Sequence, residues 1–519
     1  MERPDSGGRS TVYGTAGVVA CEHPRAALAG IRMLDAGGTA ADACVAMAAA
    51  MAVLSPMMTG PGGDAFLLYR EAASGRVRAL EGAGRAGRGA TVEAMRARGH
   101  EDMPARGGET ITVPGAVALW GDAADELGRL GLPALLEPAR EIAERGYPVA
   151  PVSARMWQAE EAVLRRDPAA ADAFLPGGRA PQEGELVRLP DLARTLGAIA
   201  AEGARTFYEG ETGERIVAAT KAAGGFLELE DLAAHRSTWV GPISAGYREL
   251  EVFELPPPTT GLAALMILRA LAREDLAALP PLSAERIHLE ALAKEHAFAA
   301  LHEHVGDPDF VEVPVDALLA GAVSAAERPP PAGRGAGDTT YLCAVDAEGN
   351  GCSFINSLYK GFGSGVVAPG TGVCLHDRGF GFSLDEASPT VLAPGKRPLH
   401  TIIPALVTHH GELWAVYGNM GGFMQPQGHA QVLVNLHDHG MSPQEAVDHP
   451  RHFHDEGVLL VEGRVPAAEV DKLRRWGHDV EVGPDYAQPS GGAQVVRVLE
   501  DGVRAAGSDP RKDGCALAQ

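Results

Sequence analysis

Apolar positions near the start of the chain fall at helical spacing in "HPRAALAGIRMLDAGG", which predicts a helix stopped by Gly37-Gly38 in the left-handed manner. The run that follows, "ACVAMAAAMAVL" (Ala43 to Leu54), is apolar nearly all round, so it reads as a helix buried on every side. It is well short of the roughly 20 residues that cross a bilayer, and Asp42 precedes it. In "TGPGGDAFLLYREAASGRVRALEG" the period switches to two, predicting strands joined by the turn "SG". Helical spacing returns from "LPALLEPAREIAERGY" to "LARTLGAIAAEGARTFYEGETGERIVAATKAAGG" and again over Gly261 to His304, and after Thr339 the chain is strand-rich.

The segment Ala326 to Asp338, "AERPPPAGRGAGD", resists burial and divides the sequence into a helix-rich part, 1–338, and a strand-rich part, 339–519. Helices clustered outside two sets of strands suggest one layered α/β sandwich rather than separate domains. The formal charge of −23, with no local Lys/Arg cluster, argues against nucleic acid as a partner. The N-terminus lacks the basic and apolar regions of a secretory signal, so a cytoplasmic location is expected. Cys21, Cys44, Cys343, Cys352, Cys374 and Cys515 form no CxxC pair and read as free thiols.

At the junction, "TYLCAV" and "CSFINSLY" are β-rich runs separated by "DAEGNG", whose Gly349, Asn350 and Gly351 suit a hairpin turn. Centring the hairpin there puts Thr339 beside Ser357 or Tyr359, depending on loop parity, with Ser353, Ile355, Ser357 and Tyr359 on one face. A threonine hydroxyl needs a base to act as a nucleophile, and a free α-amine on the same residue would serve. That amine exists only if the Asp338–Thr339 bond is cut. The plainer reading is that a β-branched residue opens a strand.

The chain resembles the γ-glutamyltranspeptidase family of N-terminal-nucleophile hydrolases, through "GVVACEHPRAALAGIRMLDAGGTAADACVA", "SPMMTGPGGDAFLLY", "ELPPPTTGLAAL", "GDTTYLCAVDAEGNG", "FGSGVVAPGTGV", "PGKRPLHTIIP", "GNMGGFMQPQGH" and "SDPRKDG" in family order. The resemblance implies a four-layer αββα sandwich that cuts itself between Asp338 and Thr339. The large and small chains then stay together as a heterodimer, with a dimer of heterodimers as a further option. It implies that Thr339 attacks a carbonyl with its own amine as base, that Ser357 hydrogen-bonds the nucleophile, and that Gly421 and Gly422 supply the oxyanion segment. No cofactor and no metal are implied.

The family's γ-glutamyl pocket is altered here. Tyr359 stands in place of a binding Asn, Gly381 in place of an Asp, and His400 and Thr401 in place of paired serines; Arg85 falls about two residues beyond the expected arginine. The pattern is more similar to a branch that includes oxamate amidohydrolase, for which a small acid amide held by Arg85 or Arg378 with Thr401 is the expected substrate. A glutathione hydrolase, a C–C bond hydrolase of natural-product assembly, and a non-catalytic binding protein are the alternatives. A metal enzyme is suggested only by His437, His439, His449, His452 and His454, which lack HExxH spacing, and "TGPGGD" lacks the ending of a phosphate loop.

Overall fold

The structure, a computed structural model, describes residues 9–321 and 337–519. All but the last two residues of the Pro/Gly-rich segment Ala326 to Asp338 lie outside these. Two seven-stranded sheets form the centre. One runs in the order Val12–Gly14, Arg504–Ser508, Gly492–Val498, Glu412–Met420, Ala405–His409, Leu250–Glu254, Ile243–Tyr247. The other runs Cys515–Ala518, Val18–Cys21, Asp338–Val345, Gly351–Tyr359, Asp64–Arg70, Val77–Gly82, Thr238–Val240. Neighbouring strands within both are antiparallel. Each sheet draws strands from both sides of the Asp338–Thr339 junction.

The sheets pack face to face with helices outside, giving the four αββα layers expected from the sequence. The predicted apolar helix, Ala40–Leu54, is buried at all its positions against one sheet. Thr39 and Asp42 close a capping box at its start, so the buried Asp42 carboxylate satisfies backbone N–H groups, including that of Arg129 at 2.8 Å. On the other sheet lie Gly261–Leu271 and Met424–His437, with Ala284–His304 packed on both. Close approach of the sheets requires Gly418, where a Cβ would sit 2.4 Å from the ring of Tyr341.

The left-handed stop is present at Gly37, with φ +83°, and Gly349 turns the junction hairpin with φ +89°. The cysteines are free thiols, all buried except the half-buried Cys515. The histidines of the C-terminal stretch serve separate neighbours: His437 faces Glu249 at 2.8 Å, His452 faces Glu290 at 3.4 Å and His454 faces Glu295 at 3.5 Å. Among the described residues no group of three or more such side chains is arranged to hold a metal ion, and no helix is long and apolar enough to cross a membrane.

Candidate active site

The hairpin register pairs Val345 with Gly351 and Thr340 with Asn356, then slips so that Asp338 pairs with Tyr359. The extra residue is on the Gly351–Tyr359 strand, and Asp338–Val345 keeps its alternation. Thr339 is thereby brought to Ser357 rather than to Tyr359, the alternative that loop parity left open. Their hydroxyl oxygens are 2.9 Å apart, and both side chains are fully buried. Tyr359, just past the bulge, has φ +79°.

Ser357 Oγ is the hub of the site. It accepts from the Tyr359 N–H at 2.8 Å and from Arg378 Nη2 at 3.2 Å, and it lies 3.0 Å from the carbonyl oxygen of Asp338 as a donor. That carbonyl belongs to the peptide bond on which Thr339 sits. Gly421 and Gly422 link the Glu412–Met420 strand to the Met424–His437 helix, with φ of +121° and +61°. A Cβ on Gly337 would lie 3.3 Å from the Cα of Gly422, so this turn abuts the chain just ahead of Thr339.

Arg378 opens a short 3₁₀ turn and is buried. Its guanidinium donates to Thr401 Oγ1 at 3.1 Å as well as to Ser357, and lies 4.4 Å from the centre of the Tyr359 ring. Its Nε has no hydrogen-bond partner, and among the described residues no carboxylate comes within ion-pair distance. Behind it lies Asp64, whose Oδ1 accepts from the N–H groups of Gly84 and Gly115 at 3.2 and 3.0 Å. Burial pushes the Asp64 carboxyl up to about 7 against the pull of Arg378. His376 Nε2 donates to the Thr112 carbonyl at 3.0 Å and its Nδ1 accepts from the Arg378 N–H, while burial and Arg378 bring its pKa down to about 3. His400 packs edge-on to Phe66 and 3.6 Å from Asp64; burial, then Arg378, hold it well below the usual histidine range.

Arg85 is not brought to this cluster. Its guanidinium bonds the Gly395 carbonyl and forms ion pairs with Asp307 and Asp309, half-exposed to solvent. Of the two arginines expected as alternatives to hold the substrate carboxylate, Arg85 is the one drawn away, because Arg397, Asp307 and Asp309 build a separate ion network around it. Tyr359, Arg378, His400 and Thr401 do converge. Asp64 and His376 had escaped the sequence reading. Their signals were an acidic residue opening the fully buried strand Asp64–Arg70 and a histidine two residues ahead of Arg378.

The sandwich with this site at the start of a central strand is an N-terminal-nucleophile hydrolase architecture. Residues 26–519 match the family model described as Gamma-glutamyltranspeptidase, and the chain belongs to that family. It is 38% identical to the glutathione hydrolase-like YwrD proenzyme of Bacillus subtilis, covering 98% of this chain and 99% of that one. It is 36% identical to the oxamate amidohydrolase proenzyme of Klebsiella pneumoniae, with the same coverage. Its fold is similar to that of the cephalosporin acylase from Bacillus halodurans, with a TM-score of 0.92 and 39% identity over 100% of this chain and 99% of that one. The protein is thus a hydrolase of this family.

Proposed function

We propose that the protein cuts itself before Thr339 and then, through the new N-terminal threonine, hydrolyses a small amide that carries a carboxylate, oxamate being the type. The observation that carries the substrate reading is Arg378, a buried guanidinium beside Thr339 and Ser357 whose nearest balancing charge, Asp64, lies behind it, with no carboxylate within ion-pair distance among the described residues. A buried charge left unpaired costs several kcal/mol, which a substrate carboxylate would offset. The names of the oxamate amidohydrolase and acylase relatives agree with amide cleavage.

In the uncut chain Ser357 donates to the Asp338 carbonyl oxygen, polarising it for attack by Thr339 Oγ. The carbon–nitrogen bond breaks as a carbon–oxygen bond forms, and the Oγ proton passes to the departing nitrogen. Water then hydrolyses that ester, leaving a carboxylate on Asp338 and a free amine on Thr339. In turnover the amine takes the Oγ proton as Oγ adds to the substrate carbonyl, and the N–H groups of Gly421 and Gly422 receive the oxyanion. The proton passes to the leaving nitrogen, ammonia departs from a primary amide, and water hydrolyses the acyl-enzyme.

The test compares ammonia release from oxamate with cleavage of a γ-glutamyl anilide by the same purified enzyme. Oxamate is expected to be the better substrate. Faster cleavage of the anilide would return the reading to glutathione hydrolysis, and inertness toward both would favour the C–C bond hydrolase.

A further inference from the structure

On the edge of the Asp338–Val345 strand away from Ser357, the neighbouring strand Val18–Cys21 stops early. Its register, Cys343 against Ala20 and Val345 against Val18, carries forward to place Tyr341 opposite Glu22. There the chain turns away into the helix Pro24–Asp35, and a side chain replaces the ladder: Glu22 Oε1 accepts the Tyr341 N–H at 2.7 Å. The second oxygen, Oε2, is buried and has no hydrogen-bond partner, although Glu22 is only 3% exposed. Such an orphan is costly unless something arrives to meet it.

N–H groups two residues apart leave a strand on the same side, about 7 Å apart along its edge. The slip in the hairpin is on the other strand, so this alternation holds through Thr339. The nitrogen of Thr339 therefore leaves the strand on the Glu22 side, as that of Tyr341 does. A carboxylate bonded to one therefore faces the edge from which the other leaves. Lys512 is buried nearby, its Nζ contacting only the Met156 sulfur at 3.9 Å among the described side chains, and no carboxylate lies within ion-pair distance of it. The charges that act on Glu22 come from Lys512 and Asp509 of the C-terminal segment and from Asp338, while Lys512 and Arg106 act on Asp338.

We propose that Glu22 is a positioning residue for the free α-amine of Thr339, accepting one of its N–H bonds so that the lone pair turns to Oγ, with Lys512 as the opposing charge that favours the neutral amine. The proposal rests on cleavage before Thr339. In the uncut chain, burial raises the Glu22 carboxyl to about 8, opposed by Lys512. The amine that appears on cleavage adds a reason for Glu22 to ionise.

The experiment titrates the amine itself. The rate of cyanate carbamylation at the small chain's N-terminus is followed by mass spectrometry against pH in the cut wild-type enzyme, Glu22→Gln and Lys512→Met, beside the pH dependence of kcat/KM. Glu22→Gln keeps the acceptor for Tyr341 but removes the charge, so the amine midpoint is expected to fall by about one unit or more. The acid limb of kcat/KM should fall with it. Lys512→Met should move both the other way. Unmoved midpoints in both variants would overturn the proposal. If Glu22→Gln is not cut or does not fold, Lys512→Met decides alone, an unchanged midpoint counting against it. A wild-type protein that yields no threonine N-terminus would instead overturn the cleavage on which the proposal stands.

Discussion

A serine hydroxyl has one proton to give and two lone pairs to offer, and Ser357 has four polar neighbours. The Tyr359 N–H and Arg378 Nη2 take both lone pairs, so its proton goes either to the Asp338 carbonyl or to Thr339 Oγ. In the proposed mechanism the carbonyl is the better use before cleavage; once the bond is cut, Thr339 Oγ would inherit the proton and give its own to the α-amine. Ser357→Ala should therefore impair both events, slowing turnover about 10²-fold by analogy with the loss of one catalytic hydrogen bond. Unchanged rates of both self-cleavage and turnover would remove Ser357 from the mechanism. Thr339→Ala should give one uncut band on a denaturing gel. Arg378→Lys keeps the charge but loses the planar fork that spans Ser357 and Thr401, and kcat/KM for a small anionic amide should fall roughly 10²-fold, mainly through KM. An equal loss on a neutral amide would show that Arg378 serves the nucleophile rather than the substrate.

Among the elements, the hairpin shows how far sequence goes. Its two runs and its glycine turn were legible because period-two patterning and turn chemistry are local, and the hydroxyl face followed from alternation. The slip that sets Thr339 against Ser357 was not legible, since the bulge is held by tertiary bonds such as the Leu358 N–H to the Met58 carbonyl. Arg85 misled for a related reason: spacing along the chain placed it near the family's arginine, whereas its partners Asp307 and Asp309 come from more than 200 residues away. Asp64 and Glu22 were readable as acidic residues beside apolar strands, but only the fold brings Asp64 to the Arg378 cluster and Glu22 to the Tyr341 N–H. The Gly421–Gly422 turn, proposed to receive the oxyanion, offers the test at this scale. At φ +121°, with Gly491 Cα 3.2 Å from where its Cβ would lie, Gly421 has no room for a branched side chain. Gly421→Val should fold poorly or lose turnover by more than Ser357→Ala does, whereas Gly440→Ala, at another left-handed glycine with nothing within 4 Å, should cost only about 1 kcal/mol and spare activity. Comparison of urea midpoints and turnover numbers separates the two.

For the whole molecule, buried histidines set a dependence on acid. His235 is held down to about 3, by burial first and then by Arg205, Arg236 and Arg85. In the unfolded chain it takes a proton near pH 6.5, which the folded chain refuses until about 3, so its contribution to stability falls as pH drops through that window. His235→Phe should flatten the acid side of the stability curve by up to about 1.4 kcal/mol per pH unit between pH 6 and 4, read from urea midpoints. An unaltered slope would mean that the ring is already charged in the folded protein. A different consequence attaches to the way each sheet takes strands from both sides of residue 339. The strand that begins there lies in the middle of its sheet, between Val18–Cys21 and Gly351–Tyr359, so a cut at that point releases no piece. It does change the kinetic order of folding. The intact chain finds its fold by a first-order search, but two chains sharing both sheets must meet before either can close, and the effective concentration that the linking segment provided is gone. Thr339→Ala protein should regain its fold after dilution from urea with a yield independent of concentration, while the cut wild type should recover less the more it is diluted. The proposed maturation would give the molecule a direction in time: built once as a single thread, it could afterwards be kept but not easily remade.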